Sequence, residues 1–394
     1  MRFEVKNIIY VDNNATTCVA PEVREAIQPY LGEKYGNPSS MYTFGGKIAK
    51  DIDLARQQVA NLLGCNSQEI VFTSCGTESD NAAIRGTIES YPEKKHIITT
   101  RVEHPAILNV AKYVELRGYE VTYLEVDSSG QLDPEQLFKS LRKDTALVTI
   151  MWANNEIGNV FPVLEMGKAV KENGSVFHVD AVQAAGKIPI NLKDSPIDLL
   201  SISGHKIHAP KGIGVLFVRR GTKFRPFMIG GHQEHGRRGG TENVPYIVGL
   251  GEACKLALAN LEHENTEVRR MRDYLEKRIL EEVEGASLNG DPDSRLPNTT
   301  NISFEFVEGE AILLMLDREG ICASSGSACT SGSLEPSHVL RAMGVPFTKA
   351  HGSTRFSLSR YNKMKEMDRI IEVIKPAITR LREMSPGVEH MAKM

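Results

Sequence analysis

The chain has 394 residues, 41% of them hydrophobic and 25% charged, enough for a large buried core and about two or three domains. Its 47 basic and 50 acidic residues are well mixed and leave a net charge of −3, so no global field points to nucleic acid or a membrane surface. No apolar run approaches the ~20 residues of a membrane span, and residues 1–7 lack the apolar core of a signal peptide, so a cytoplasmic protein is expected.

In chain order, Ile48, Ile52, Ala55, Val59, Leu62 and Leu63 recur at helical spacing, with Gly64 as the stop. A strand is predicted at 69–73 and a helix at 77–90. Further strands read at 96–100, 120–125, 146–151, 175–179, 198–201 and 214–218. Most are continuous Val/Ile/Leu runs, as expected of a parallel sheet covered on both faces. A charge-rich helical stretch at 256–284 breaks this rhythm. Beyond it, strands at 301–306 and 354–359 and helices at 309–318 and 367–384 predict a smaller α+β domain, with a frayed tail after 384.

Two segments dominate the chemistry. His178-Val179-Asp180-Ala181-Val182-Gln183 closes one predicted strand, and Ser203-Gly204-His205-Lys206 follows the next. An acid and a lysine so placed share one edge of a parallel sheet, where α/β proteins bind ligands. A lysine for covalent attachment and a carboxylate for a pyridinium nitrogen are what pyridoxal phosphate requires. An ordinary salt bridge across strand ends is the alternative.

Other constellations lie nearby. Phe72-Thr73-Ser74-Cys75-Gly76-Thr77-Glu78-Ser79 reads as a strand, a turn and a helix start. It suits a phosphate on backbone amides, or simply an N-cap with Glu78 or Asp80 favouring the helix dipole. Glu103-His104-Pro105-Ala106 sets an imidazole at a strand end, where it can stack on an aromatic cofactor and exchange protons, or merely sit at the surface. Trp152-Ala153-Asn154-Asn155-Glu156 offers adjacent amides for a phenolate or carboxylate, or only a turn. Arg355 inside an apolar strand needs an anion, from a ligand or from the chain. The glycine-rich loop 230–243 is basic and could grip phosphate or nucleic acid, or be only flexible. The six cysteines form no Cys-x-x-Cys pair, and five read as small apolar residues. Cys329, in Ser324-Ser325-Gly326-Ser327-Ala328-Cys329-Thr330-Ser331-Gly332, reads instead as a nucleophile that must travel.

The run Tyr10-Val11-Asp12-Asn13-Asn14-Ala15-Thr16-Thr17, the lysine and cysteine segments, and Arg355-Phe356-Ser357-Leu358-Ser359-Arg360 carry a resemblance. Over nearly its full length the chain resembles the class V aminotransferase-like cysteine desulfurases. Ser333-Leu334-Glu335-Pro336-Ser337-His338-Val339-Leu340 looks most like their nitrogen-fixation (NifS) branch. The resemblance implies an α/β protein of PLP fold type I, with a mostly parallel seven-stranded sheet in a large domain, 14–261. Residues 1–13 and 262–394 would form the smaller α+β domain, with a mobile nucleophile loop near 322–334.

It also implies roles. Lys206 would carry pyridoxal 5′-phosphate, Asp180 would hold its ring nitrogen, and His104 would stack on the ring and shuttle protons. Gln183 and Asn155 would bond the ring hydroxyl, and Gly76, Thr77, Ser203 and His205 would hold the phosphate. Thr241 would reach the phosphate of the other subunit of a homodimer. Arg355, helped by Asn154 or Asn155, would clamp the carboxylate of L-cysteine. Cys329 would take the sulfur as a persulfide, leaving L-alanine, and pass it to an iron–sulfur scaffold protein for cluster assembly, with nitrogenase the expected destination. The same thiol could serve as an iron–sulfur ligand shared with that partner. The rival readings are a selenocysteine lyase, a housekeeping desulfurase, an inactive assembly scaffold, and a metal module of His205, His208, His232 and His235, whose spacing matches no compact site. The chain departs from the family at His235, where an arginine is usual, and at Tyr42, where many relatives have histidine.

Overall fold

The computed structural model describes residues 8–325 and 336–384. After the short strand β1 (Ile9–Tyr10) comes a central seven-stranded sheet. Its strands are β2 (Ile70–Thr73), β3 (His96–Thr100), β4 (Glu120–Leu124), β5 (Thr145–Met151), β6 (Val176–Asp180), β7 (Leu199–Ser203) and β8 (Gly214–Val218). They lie in the order β2-β8-β7-β6-β5-β3-β4, and of these only β8 runs against the rest. All but the edge strand β4 are buried along their length, which is why they read as unbroken apolar runs.

This order decides where chemistry can sit. The C-terminal ends of β2, β3, β5, β6 and β7 share one edge, and the reversed β8 starts there, with Gly214 opposite both Thr73 and Ser203. A Cβ on Gly214 would lie 2.7 Å from the Cys75 carbonyl carbon, so the turn leaving β2 is pressed onto the sheet edge. The helices Gly76–Ser90 and Pro105–Glu115 begin at that same edge.

Three more strands, β9 (Ala286–Asn289), β10 (Thr299–Phe304) and, after β11 (Ile321–Cys322), β12 (Ser353–Ser357), form an antiparallel sheet in the order β12-β10-β9. β11 pairs in parallel with β1. A hydrophobic core of its own, with Val11, Leu275, Phe304, Phe356 and Ile374, lies between this sheet and the helices Arg269–Glu282 and Met364–Met384. Val339, Leu340 and Met343 pack instead into the core of the large sheet.

The helical stretch expected at 256–284 comprises the end of an apolar helix, Val244–Ala259, a short turn at Leu261–His263, a π-helical turn at Glu264–Val268 and the helix Arg269–Glu282. Val244–Ala259 packs against Thr43–Leu63, with Leu250, Ala253 and Cys254 wholly buried. Apolar on most sides, it lacks the one-sided stripe that betrays a helix in sequence. No described helix is long and apolar enough to cross a membrane.

Candidate active site

A cavity of about 400 Å³ opens at the C-terminal edge of the sheet. Asp180, Gln183, Lys206, His104, Gly76 and Arg355 all line it. Asp180 ends β6, and its Oδ1 accepts the Val182 N–H at 2.9 Å. Lys206 ends the 3-10 turn that follows β7. Its Nζ donates to the Asn14 carbonyl and, at 2.9 Å, to that of Ala15. Gln183 Nε2 donates to the same Asn14 carbonyl at 3.0 Å, while its buried Oε1 has no partner among the described residues. Asn14 is thus a hub, itself pinned by Nδ2 to Thr299 Oγ1 at 2.9 Å.

The floor is acidic. Beside Asp180, Asp80 and Glu103 are buried, and Asp80 Oδ1 and Glu103 Oε2 each lack a hydrogen-bond partner among the described residues. Glu103 Oε1 accepts the Thr100 hydroxyl at 2.8 Å and the N–H of Met151, the residue opposite Asp180, at 3.0 Å. Burial pushes the Asp180 carboxyl up to about 6, although the Val182 N–H and Lys206 favour its charged form. Burial likewise pushes Glu103 up to about 8, with the Asp180 charge adding to it. Asp80 is raised well above its ordinary value by burial and by Asp180. Nearby His178 cannot compensate. It is held between Thr149 Oγ1 at 2.8 Å and Ser201 Oγ at 2.9 Å, and burial lowers it to about 3. A cation arriving beside Asp180 and Asp80, which line the cavity, would favour their charged forms, while Glu103 lies next to them without lining it.

His104 caps the helix Pro105–Glu115, its Nδ1 accepting the Ala106 N–H at 3.1 Å. Burial, then the charges of Lys206 and His338, lower the ring to about 4. At neutral pH it is uncharged, with its proton on Nε2. At one end of the cavity, Gly76 and Thr77 begin a helix whose first amides have no intrahelical acceptor. A Cβ on Gly76 would come within 2.9 Å of Val182 Cγ2, so only glycine lets this turn close on the wall. Ser203 and His205 line the same space, and His205 Nδ1 lies 3.0 Å from Thr16 Oγ1. Elsewhere on the rim, Arg355 in β12 places Nη2 2.7 Å from Asp12 Oδ1 and Nη1 2.7 Å from the Asn155 carbonyl. Its Nε, buried, has no partner among the described residues.

The family model for class-V aminotransferases matches residues 9–370. The chain belongs to the class-V aminotransferase family. A cysteine desulfurase of Nostoc sp. is 64% identical over 380 residues, covering 96% of this chain and 95% of the relative. The cysteine desulfurase NifS of Azotobacter vinelandii is 56% identical over 379 residues, covering 96% of this chain and 94% of the relative. A solved structure titled NifS-like protein superposes with a TM-score of 0.90 at 39% identity, covering 95% of this chain and all of its own.

The cofactor of class-V aminotransferases is pyridoxal 5′-phosphate, and the residues present fit it. Buried carboxyls crowd around Asp180, Gln183 Oε1 lacks a partner among the described residues, a helix begins at Gly76 and Thr77 on the cavity wall, and Lys206 reaches the same space. Other expected residues fare differently. Asn154 does not line the cavity: its Nδ2 donates to the Val102 carbonyl at 3.0 Å and its Oδ1 accepts the Glu156 and Ile157 N–H groups. That amide is spent on its own turn, and only Asn155 faces the space. Thr241 is exposed and does not line its own chain's cavity. Cys329 lies outside the described residues. No group of three or more His, Cys, Asp or Glu among the described residues could hold a metal ion. Asp12, Asn14, Asp80 and Glu103 escaped the residue reading. All four adjoin or lie within segments already singled out, but nothing in their residue types announced a role.

Proposed function

We propose that the chain is a pyridoxal-phosphate-dependent cysteine desulfurase, taking sulfur from L-cysteine, releasing L-alanine and holding the sulfur as a persulfide on Cys329. The observation that carries this reading is the convergence of Lys206, Asp180 and Arg355 on one cavity, in a chain 64% identical to a cysteine desulfurase.

Bound pyridoxal phosphate supplies an electron sink that makes the α-proton of an amino acid removable. Lys206 would anchor it, and its Nζ, once freed, would be placed to take that proton. Asp180, backed by Asp80 and Glu103, would hold the ring nitrogen in its charged form. Gln183 and Asn155 would bond the ring hydroxyl, His104 would lie against the ring, and Gly76, Thr77, Ser203 and His205 would hold the phosphate. Arg355, oriented by Asp12, offers its Nε to the substrate carboxylate beside Asn155. The Cys329 thiolate attacks the substrate sulfur and the carbon–sulfur bond breaks. Its electron pair stays on the substrate carbon and is protonated there, so cysteine and thiol become alanine and persulfide. His104, neutral with its proton on Nε2, can offer a hydrogen bond but is a poor source of a proton at neutral pH.

A homodimer with Thr241 at the partner's phosphate completes the site, and an iron–sulfur scaffold protein receives the sulfur. The relative named NifS, at 56% identity, supports nitrogenase clusters as the destination. The separate core of the C-terminal sheet supports the division into 14–261 and the remainder.

The purified protein is yellow and yields alanine from L-cysteine. Lys206→Ala folds but is colourless. Cys329→Ala keeps the colour and loses sulfide release. A colourless wild type that pyridoxal phosphate cannot reconstitute overturns the reading, and full sulfide release by Cys329→Ala removes Cys329 from it.

A further inference from the structure

A second cavity, of about 20 Å³, lies behind Lys206, lined by Lys206 itself and by Lys187, His208, Glu264 and Arg360 among others. That is room for one water. Lys187 and Glu264 are only 7% and 6% exposed. Lys187 Nζ donates at 3.2 Å to the Gln183 carbonyl, in the turn that follows Asp180. Asn265 Nδ2 donates at 2.8 Å to the Lys187 carbonyl, tying that turn to the π-helical segment Glu264–Val268. Such π turns are rare and gather at functional sites. This one opens with Glu264, which lines the cavity. The two opposite charges face the same small space without a direct ion pair between them among the described residues. Two buried charges kept apart are a poor stabilising device.

We propose that Lys187 and Glu264, bridged by one buried water, are positioning residues whose opposed charges balance one another at the Lys206 nitrogen. Burial pushes Lys187 down and Glu264 up, and the charge of each partly restores the other. Arg360 adds its charge and a backbone N–H in favour of ionised Glu264. His208 and His205 are kept neutral by burial, at about 3 and about 4, so they add no competing charge, and Lys211 acts on His205 from farther along the loop. Asp180 shares the larger cavity with Lys206, whose charge favours ionised Asp180. The Lys187 cation repels a proton on Lys206, the Glu264 anion attracts one, and the intact pair nearly cancels.

This rests on Lys206 as the cofactor anchor. The test is a pH titration of the visible band in the cofactor-loaded protein. It is joined by the pH dependence of Lys206 acylation in the cofactor-free protein, read by peptide mass spectrometry. Lys187→Met raises both midpoints by about one pH unit, Glu264→Gln lowers them by about one, and the double variant returns near the wild type. Lys187→Arg, which keeps the charge, keeps the midpoints and so separates charge from packing, and Glu264→Gln carries the test alone if Lys187→Met does not fold. Shifts of the same sign, or none, overturn the proposal. A wild type without a visible band overturns the anchor assignment instead.

Discussion

The floor and the rim of the cavity leave opposite needs unmet. On the floor, Asp80, Glu103 and Asp180 gather buried acid with two oxygens unpartnered among the described residues and a neutral histidine as neighbour. On the rim, Arg355 is already half neutralised, bonded to Asp12 and to the Asn155 carbonyl at 2.7 Å each, with Nε left over. A standing demand for a cation suits a group that stays, since losing it would restore the full penalty of buried acid. A guanidinium largely satisfied from within suits an anion that must leave after every turnover. The difference in internal satisfaction separates resident cofactor from passing substrate.

Three substitutions probe that contrast, the largest effect first. Asp180→Asn removes the charge that the floor offers the ring nitrogen, and kcat at saturating cofactor falls about 10²- to 10³-fold, the scale of losing one strong preorganised electrostatic contact. Arg355→Lys replaces a planar fork with a point charge, so KM for L-cysteine rises about tenfold while kcat changes less. Asp12→Asn leaves Arg355 in place but less firmly aimed, and KM rises about threefold. Steady-state kinetics on the three variants checks the split. If Arg355→Lys lowers kcat as deeply as Asp180→Asn does, the rim is part of the chemistry and the contrast fails.

Much of this layout could be read from residues before any coordinates. Fully buried strands write themselves as Val/Ile/Leu runs, and the residues ending them, such as Asp180, or following them closely, such as His104 and Lys206, fell on the shared edge as expected. What could not be read works through the main chain or through burial. Asn14 matters for its carbonyl, which accepts from both Lys206 and Gln183, and any residue type has a carbonyl. Asp80 in sequence is an acid near a helix start, which satisfies a dipole on the surface as readily as it hides under a cofactor. Asn154 and Asn155 are identical in type and adjacent, and only the turn decides that one bonds its own backbone while the other faces the cavity.

The smallest effect is the most direct test of the floor, and it needs no turnover. Glu103 is held at about 8 in the folded protein against an ordinary 4.5, so between these values the folded state binds a proton that the unfolded chain has released. Stability from this group is therefore full below about pH 4.5 and is lost as pH rises through about 8. Glu156, pushed up to about 7 by burial, acts in the same direction slightly lower. The buried histidines His104, His178, His205 and His208 act the other way, because they are neutral when folded and charge on unfolding. Their opposition ends above an unfolded value of 6.5, and from there to about pH 8 Glu264, raised to about 7, and Asp80, raised well above its ordinary value, act in the same direction as Glu103. Between about pH 6.5 and 8 the melting temperature of the cofactor-free protein falls by about 2 °C, and Glu103→Gln makes the fall shallower. Adding pyridoxal phosphate flattens the curve by meeting the demand of the floor, whereas Arg355→Lys leaves its slope unchanged. A cofactor-free melting temperature that rises through this window, or a slope that follows Arg355 rather than Glu103, would place the unmet charge at the rim.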